Sequence, residues 1–116
     1  MQKSDIYTRF INLSRALELS EHARLNANLK HLLSYIVIRI DAEQSTRVSD
    51  LIQIKTLGSP ATIHTRIQRL IDLNYLTLIT DEHDARIKHV KLGSAGEAYV
   101  CGMSGAILTL LGQNPC

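Results

Sequence analysis

Aromatic side chains make up only 4% of the 116 residues, with no Trp and a single Phe10. A core must therefore be assembled from Leu, Ile and Val, the side chains that helix bundles use. Cysteine is equally scarce. Cys101 and Cys116 form no CxxC pair and are too few for a disulfide framework, which suits a reducing compartment and sets a cytoplasmic expectation. No sign of charge dominates: 13 Lys and Arg against 11 Asp and Glu give +2, which neither demands nor forbids a polyanionic partner. Asp5 and Arg9 precede any long apolar run, so no signal or transit peptide is indicated. Residues 98–116 carry no charge, yet Ser104, Gln113, Asn114, Pro115 and several glycines argue for a buried helix rather than a membrane span. Catalytic signatures are missing too. There is no Gly-rich phosphate loop, no HExxH and no nucleophile elbow, so an enzyme is not expected, and neither is a bound cofactor.

What is present is organised by region. The length suits one core but not two, so the chain is expected to be a single domain over 1–116. Residues 59–93 concentrate Arg66, Arg69, Arg86, Lys88 and Lys91 together with His64, His83 and His89, whereas the last 23 residues hold only Glu97. Spacings of three and four predict a helix from Asp5 to about Glu21 on Ile6, Phe10, Leu13 and Leu17. The wider stripe Leu25, Leu29, Leu32, Leu33, Ile36, Val37 and Ile40 predicts a central core helix over Leu25–Ile40.

Next comes Arg47-Val48-Ser49-Asp50-Leu51-Ile52, where Ser49 is expected to cap a short helix running to about Leu57. Gly58 breaks it. Ser59-Pro60 starts another, with a capping hydroxyl and a proline at the first helical position. Its apolar positions are Ile63, Ile67, Leu70 and Ile71, and Asn74, which tolerates a left-handed backbone, marks its end. The runs Leu76–Thr80 and Arg86–Leu92 flank the charged turn 81–85 and predict a hairpin. Ile87, Val90 and Leu92 do not alternate strictly, which leaves room for a bulge or an early strand end. A last helix is expected from Ser94 to about Leu111.

This order is mainly α with a small β-hairpin wing: a winged helix-turn-helix with N- and C-terminal helices available for dimerisation. The expected binding core spans about residues 47–93, with 5–40 and 94–112 as flanking helices. Such a turn lets the second helix enter a DNA major groove. If its apolar residues face inward, Thr62, Thr65, Arg66 and Arg69 lie opposite, suited to phosphates and base edges, and Ser59 with the free N–H groups of the first turn can hold a phosphate.

The segment resembles the MarR family of winged-helix transcriptional regulators over about residues 47–97. The likeness rests on Ser59-Pro60-Ala61-Thr62-Ile63 at the helix start, Arg69-Leu70 followed by Asn74-Tyr75-Leu76 where the family has Gly-Leu-Ile, and Asp84, Arg86, Leu92 and Gly96 in the register of its Asp-Arg-Arg, Leu-Thr-x-x-Gly wing. Ala85 and Gly93 depart from that pattern, removing one wing arginine and the usual capping threonine. The resemblance implies a homodimeric, sequence-specific DNA-binding regulator with double-stranded DNA as partner, and it leaves open whether a small-molecule effector exists. It further implies that Asp84 pairs with Arg86 to shape the wing, that Arg86 and Lys88 approach the minor groove, and that Phe10, Leu17, Ile107, Leu108 and Leu111 anchor the dimer.

Plainer readings stand beside these. Arg66 and Arg69 are also ordinary helix-surface charges, and His64 suits a contact with DNA and the flank of a core equally well. His83 and His89 with Asp81 or Asp84 match no strong metal-ligand spacing, so no metal is expected. Cys101 reads as a small core residue before it reads as a redox sensor, and Cys116 supports no reading. The alternative function is a winged-helix protein-interaction module that needs no DNA.

Overall fold

The computed structural model describes residues 3–18 and 24–112. In chain order they form α1 (Lys3–Glu18), α2 (Ala27–Asp41), α3 (Val48–Leu51), a 3-10 turn (Lys55–Leu57), α4 (Pro60–Asp72), β1 (Leu76–Thr80), β2 (Lys88–Leu92) and α5 (Ser94–Leu110). Two compact units result, one over 27–97 and the other made of the N-terminal residues to 26 and the C-terminal ones from 98.

The first unit is a winged helix-turn-helix. Its core gathers Leu29, Leu32, Leu33 and Ile36 of α2, Leu51 of α3, Ile63, Ile67 and Leu70 of α4, and Tyr75, Leu76 and Val90 around the hairpin. The leucine stripe on α2 thus forms the floor on which α4 packs, as its breadth predicts. Leaving α2, the chain turns through Glu43 in a left-handed conformation, and the Arg39 guanidinium secures the exit by donating from Nε to the Ser45 carbonyl at 2.8 Å.

The next helix differs from expectation. α3 covers only Val48–Leu51, its N-cap position is Arg47 rather than Ser49, and no side chain caps it. The hydroxyl that organises this turn is Ser45, which donates to Asp50 Oδ2 at 2.7 Å and accepts from the Arg47 N–H at 3.4 Å. The turns after Leu51 then tighten into the 3-10 turn Lys55–Leu57, which places Leu57 in the core.

Gly58, at φ 130°, adopts a backbone that few other residues accept, and α4 starts directly after it. Ser59 accepts the Thr62 N–H at its Oγ, with Pro60 at the helix start. At the other end Tyr75 N–H bonds the Leu70 carbonyl and Asn74 N–H bonds that of Ile71, with Asn74 left-handed at φ 67°. This is a Schellman stop with Asn in place of Gly, and the buried pair Leu70 and Tyr75 supplies the apolar contact that accompanies it.

β1 and β2 pair antiparallel in the register Leu76 to Leu92 and Thr80 to Lys88. β2 begins at Lys88, two residues later than the sequence suggests, because Ile87 belongs to the turn: its N–H bonds Asp84 and its carbonyl accepts from Asp81. The segment before α3 adds a third rung, with Arg47 bridging His89 and the buried Thr46 carbonyl accepting from Val90 N–H at 2.9 Å.

Gly93 stands where the motif has a capping threonine, and both it and Gly96 are pressed against backbone. A Cβ on Gly93 would lie 2.5 Å from the Asn74 carbonyl oxygen, and one on Gly96 would overlap the Tyr75 carbonyl oxygen. The start of α5 therefore rests directly on the backbone that ends α4, joined by Gly93 N–H to Tyr75 and Ala95 N–H to Asn74.

The second unit holds α1 and the greater part of α5. Among its described residues on α1 none is buried, and Ile6, Tyr7 and Phe10 are exposed, Tyr7 by 66%. On α5, Ile107 and Leu111 are exposed and Leu108 is half-buried; the side chain of Leu17 lies outside the described residues, as does Cys116. Cys101 is exposed, which corrects its reading as a core residue, since only Gly105 is buried along this part of α5. Among the described residues no helix is long and apolar enough to cross a membrane.

Candidate nucleic-acid interface

α4 presents one polar side to solvent because its apolar residues recur at 63, 67 and 70. His64, Thr65, Gln68, Arg69 and Asp72 line a shallow open groove of about 330 Å³ along that side. His64, Thr65 and Arg69 thus come together where the sequence places them, and His64 faces solvent rather than the core.

Thr62 and Arg66 sit differently. Both are half-buried on the flank of the helix nearest the turn: Thr62 accepts the Ser59 hydroxyl at 2.8 Å, and Arg66 reaches back toward the Leu57 carbonyl at 3.5 Å. Arg66 lies next to Ile67 and one turn from Ile63, so its stem runs over the helix-turn-helix corner instead of pointing straight out. The Ser59 hydroxyl, engaged with both the N–H and the hydroxyl of Thr62, holds the first turn in shape. Gln68 and Asp72 were not anticipated. Their signal was available in the four-residue spacing that lets an amide and a carboxylate meet on a helix, and Gln68 Nε2 donates to Asp72 Oδ1 at 3.1 Å.

The wing is built on carboxylates. Asp84 receives Arg86 twice, Nε on Oδ1 at 3.1 Å and Nη2 on Oδ2 at 3.2 Å, and also accepts the Arg86 N–H. The pairing expected from the motif is present, with the Arg86 side chain 91% exposed. This grip holds the Asp84 carboxyl below its ordinary value of 3.8; the Arg86 guanidinium is the largest cause, its N–H the next, and the Arg47 cation also contributes. Asp81 shapes the near side of the turn, its Oδ2 accepting the N–H groups of His83 and Asp84 at 3.0 and 3.1 Å. Lys88, exposed at the start of β2, donates to the Thr80 hydroxyl across the strands at 2.7 Å.

Among the described residues no group of three or more His, Cys, Asp or Glu is placed to hold a metal ion. The arrangement offers a solvent-facing helix side with hydrogen-bonding groups and, on the hairpin, a projecting arginine and lysine. Those features match the two contact elements of a winged helix on DNA.

No protein-family model matches the sequence, and none of the curated proteins compared with it does. Solved structures do match the fold. The transcriptional regulator Tm0710 from Thermotoga maritima aligns over 95% of this chain and 72% of its own, with a TM-score of 0.65 and 15% identity. A probable transcriptional regulator from Pseudomonas aeruginosa aligns over 93% and 75%, with a TM-score of 0.55 and 19% identity. The heme sensor protein PefR from Streptococcus agalactiae, solved with heme, aligns over 97% and 76%, with a TM-score of 0.53 and 15% identity. The chain thus shares the winged-helix fold of transcriptional regulators, the fold that its resemblance to MarR regulators implies.

Proposed function

We propose that this winged helix is a DNA-binding transcriptional regulator that acts as a homodimer, with α4 in the major groove and the wing, about residues 80–89, near the minor groove. The observation that carries the reading is the solvent-facing side of α4, where His64, Thr65 and Arg69 line one open groove on a helix held by a capped start and a Schellman stop. Arg69 suits a guanine edge or a phosphate. Arg66, half-buried near the corner, serves a backbone phosphate better than a base.

In the wing, Arg86 and Lys88 each carry a local partner. That pairing fixes where their cations stand, and Arg86 remains almost fully exposed. With Ala85 in place of a second arginine, the wing contributes backbone attraction rather than deep insertion into the minor groove.

The exposed Ile6, Tyr7 and Phe10 on α1 and Ile107 and Leu111 on α5 support self-association, because apolar residues clustered in this way gain by leaving water. Phe10, Leu17, Ile107, Leu108 and Leu111 are its anchors. A symmetric dimer would set its two α4 helices about 34 Å apart, one turn of DNA.

Salt titration on genomic duplex tests the reading. Binding through several phosphates falls steeply with added salt, and Arg69→Ala should weaken a specific complex by about 1–3 kcal/mol if it reads a base. Retention of no duplex at low salt overturns the reading and leaves the protein-interaction module in its place.

A further inference from the structure

The polar groups along α4 are not equally available to a ligand. The Thr62 hydroxyl is engaged with Ser59, the Thr65 hydroxyl donates to the Ala61 carbonyl at 2.9 Å, and Arg66 is half-buried at the corner. Gln68 differs in kind. It is exposed, and Asp72, which as a carboxylate can only accept, takes one of its Nε2 hydrogens. That contact settles which end of the amide is nitrogen and restrains a long side chain before any ligand arrives. A second N–H and the amide oxygen remain, engaged by no other described residue. Such a pair complements the N7 acceptor and the N6 donor of adenine in the major groove.

Helical geometry extends the pattern. Ala61, Thr65, Gln68 and Asp72 follow one another at intervals of four, three and four along the ridge opposite the buried Ile63, Ile67 and Leu70. Ala61 is exposed and offers a methyl group. Thr65 does too, because its hydroxyl is turned onto the helix backbone. Methyl groups at such positions contact the 5-methyl of thymine. From 61 to 68 the ridge runs about 10 Å at the helical rise, a reach of roughly three base pairs.

We propose that the Ala61, Thr65 and Gln68 ridge selects an A·T-containing half-site, with Gln68 reading one adenine through two hydrogen bonds and Asp72 acting as its positioning residue. The proposal rests on the DNA-binding reading and adds to it the class of sequence recognised. Preorganisation is its physical basis: an amide already anchored loses less freedom on binding than a free glutamine side chain.

Selection of bound duplexes from a random pool, run with the wild-type chain and with Gln68→Ala, tests it. The wild type should select half-sites with one fixed adenine. Gln68→Ala should lose preference at that position alone, with an unchanged melting temperature because the side chain is exposed. On the selected duplex, 7-deazaadenine at that position lacks the N7 acceptor and should weaken the wild type about 5- to 100-fold while leaving Gln68→Ala unaffected. Asp72→Ala should reduce the adenine preference, and Asp72→Asn, which keeps an acceptor oxygen, should restore it. A wild-type half-site without a fixed adenine, or the same selected sequences from Gln68→Ala, overturns the proposal and leaves DNA binding standing. A wild type that retains no duplex overturns DNA binding itself and this proposal with it.

Discussion

Asp81 and His89 close the base of the wing, with Oδ1 and Nε2 2.8 Å apart and both side chains about three-quarters shielded from water. The other oxygen of the same carboxylate takes the N–H groups of His83 and Asp84, so one side chain ties β2 to the turn that precedes it. His89 in turn bridges Arg47, which links the wing to the entry of α3. The Asp81 carboxylate thus ties the turn to β2, while main-chain pairing at His89 and Val90 joins β2 to the segment before α3.

That carboxylate sets a pH dependence. The hydrogen bond with His89, followed by that from the His83 N–H, holds the Asp81 carboxyl below its ordinary value of 3.8. A lowered folded value means that the contribution of Asp81 is complete above the ordinary value and is lost as pH falls through the lower one. Carboxyl-carbon NMR titration should place the Asp81 midpoint below 3.8, with the His83 and Asp84 amides losing exchange protection over the same range. A midpoint at or above 3.8 contradicts the assignment. Asp81→Ala should remove the same protection at neutral pH.

Gly93→Ala and Gly96→Ala are each expected to destabilise the fold by about 2–3 kcal/mol or more, because the added methyl meets main-chain oxygen that no rotamer change can move aside. Urea unfolding measures the loss. Gly102→Ala is the control: its Cβ meets nothing within 4 Å, and helix propensity alone predicts a gain of up to about 1 kcal/mol.

Ser59→Ala should cost about 1 kcal/mol by removing the acceptor for the Thr62 N–H. Ser59→Asp should retain most of the stability, since a carboxylate caps equally well. The same unfolding experiment compares the two, and equal losses in both would contradict a capping role.

Self-association should depend on the exposed apolar residues. Placing a charge at Phe10 or Leu111, as in Phe10→Asp or Leu111→Asp, should shift sedimentation from dimer to monomer without unfolding residues 27–97, whose core uses neither side chain. A dimer that persists in both variants excludes these positions from its interface.

Much of this was legible in the sequence where the determinants are local. Ser59-Pro60 opened a helix and Asn74 closed one, because capping and left-handed backbone are decided by the residue itself and its near neighbours. The hairpin followed for the same reason, whereas the Asp84 to Arg86 pair followed from the resemblance of the wing motif. The errors share a different cause. Ser49 and Ser45 are equivalent as letters, and only the path of the loop decides which hydroxyl meets Asp50. Helical phase alone turns Arg66 outward and says nothing of the Leu57 carbonyl that the corner brings within its reach. Gln68, an uncharged side chain, gains significance only where Asp72 holds it.

The two glycines at the start of α5 have a mechanical consequence. Most contacts between elements in this protein run through side chains, which can change rotamer and absorb a small displacement. Where Gly93 and Gly96 meet Asn74 and Tyr75 there is only main chain against main chain. The end of α4, the start of β1 and the first turn of α5 are thus one stiff joint, and a tilt imposed on that first turn bears directly on the end of α4.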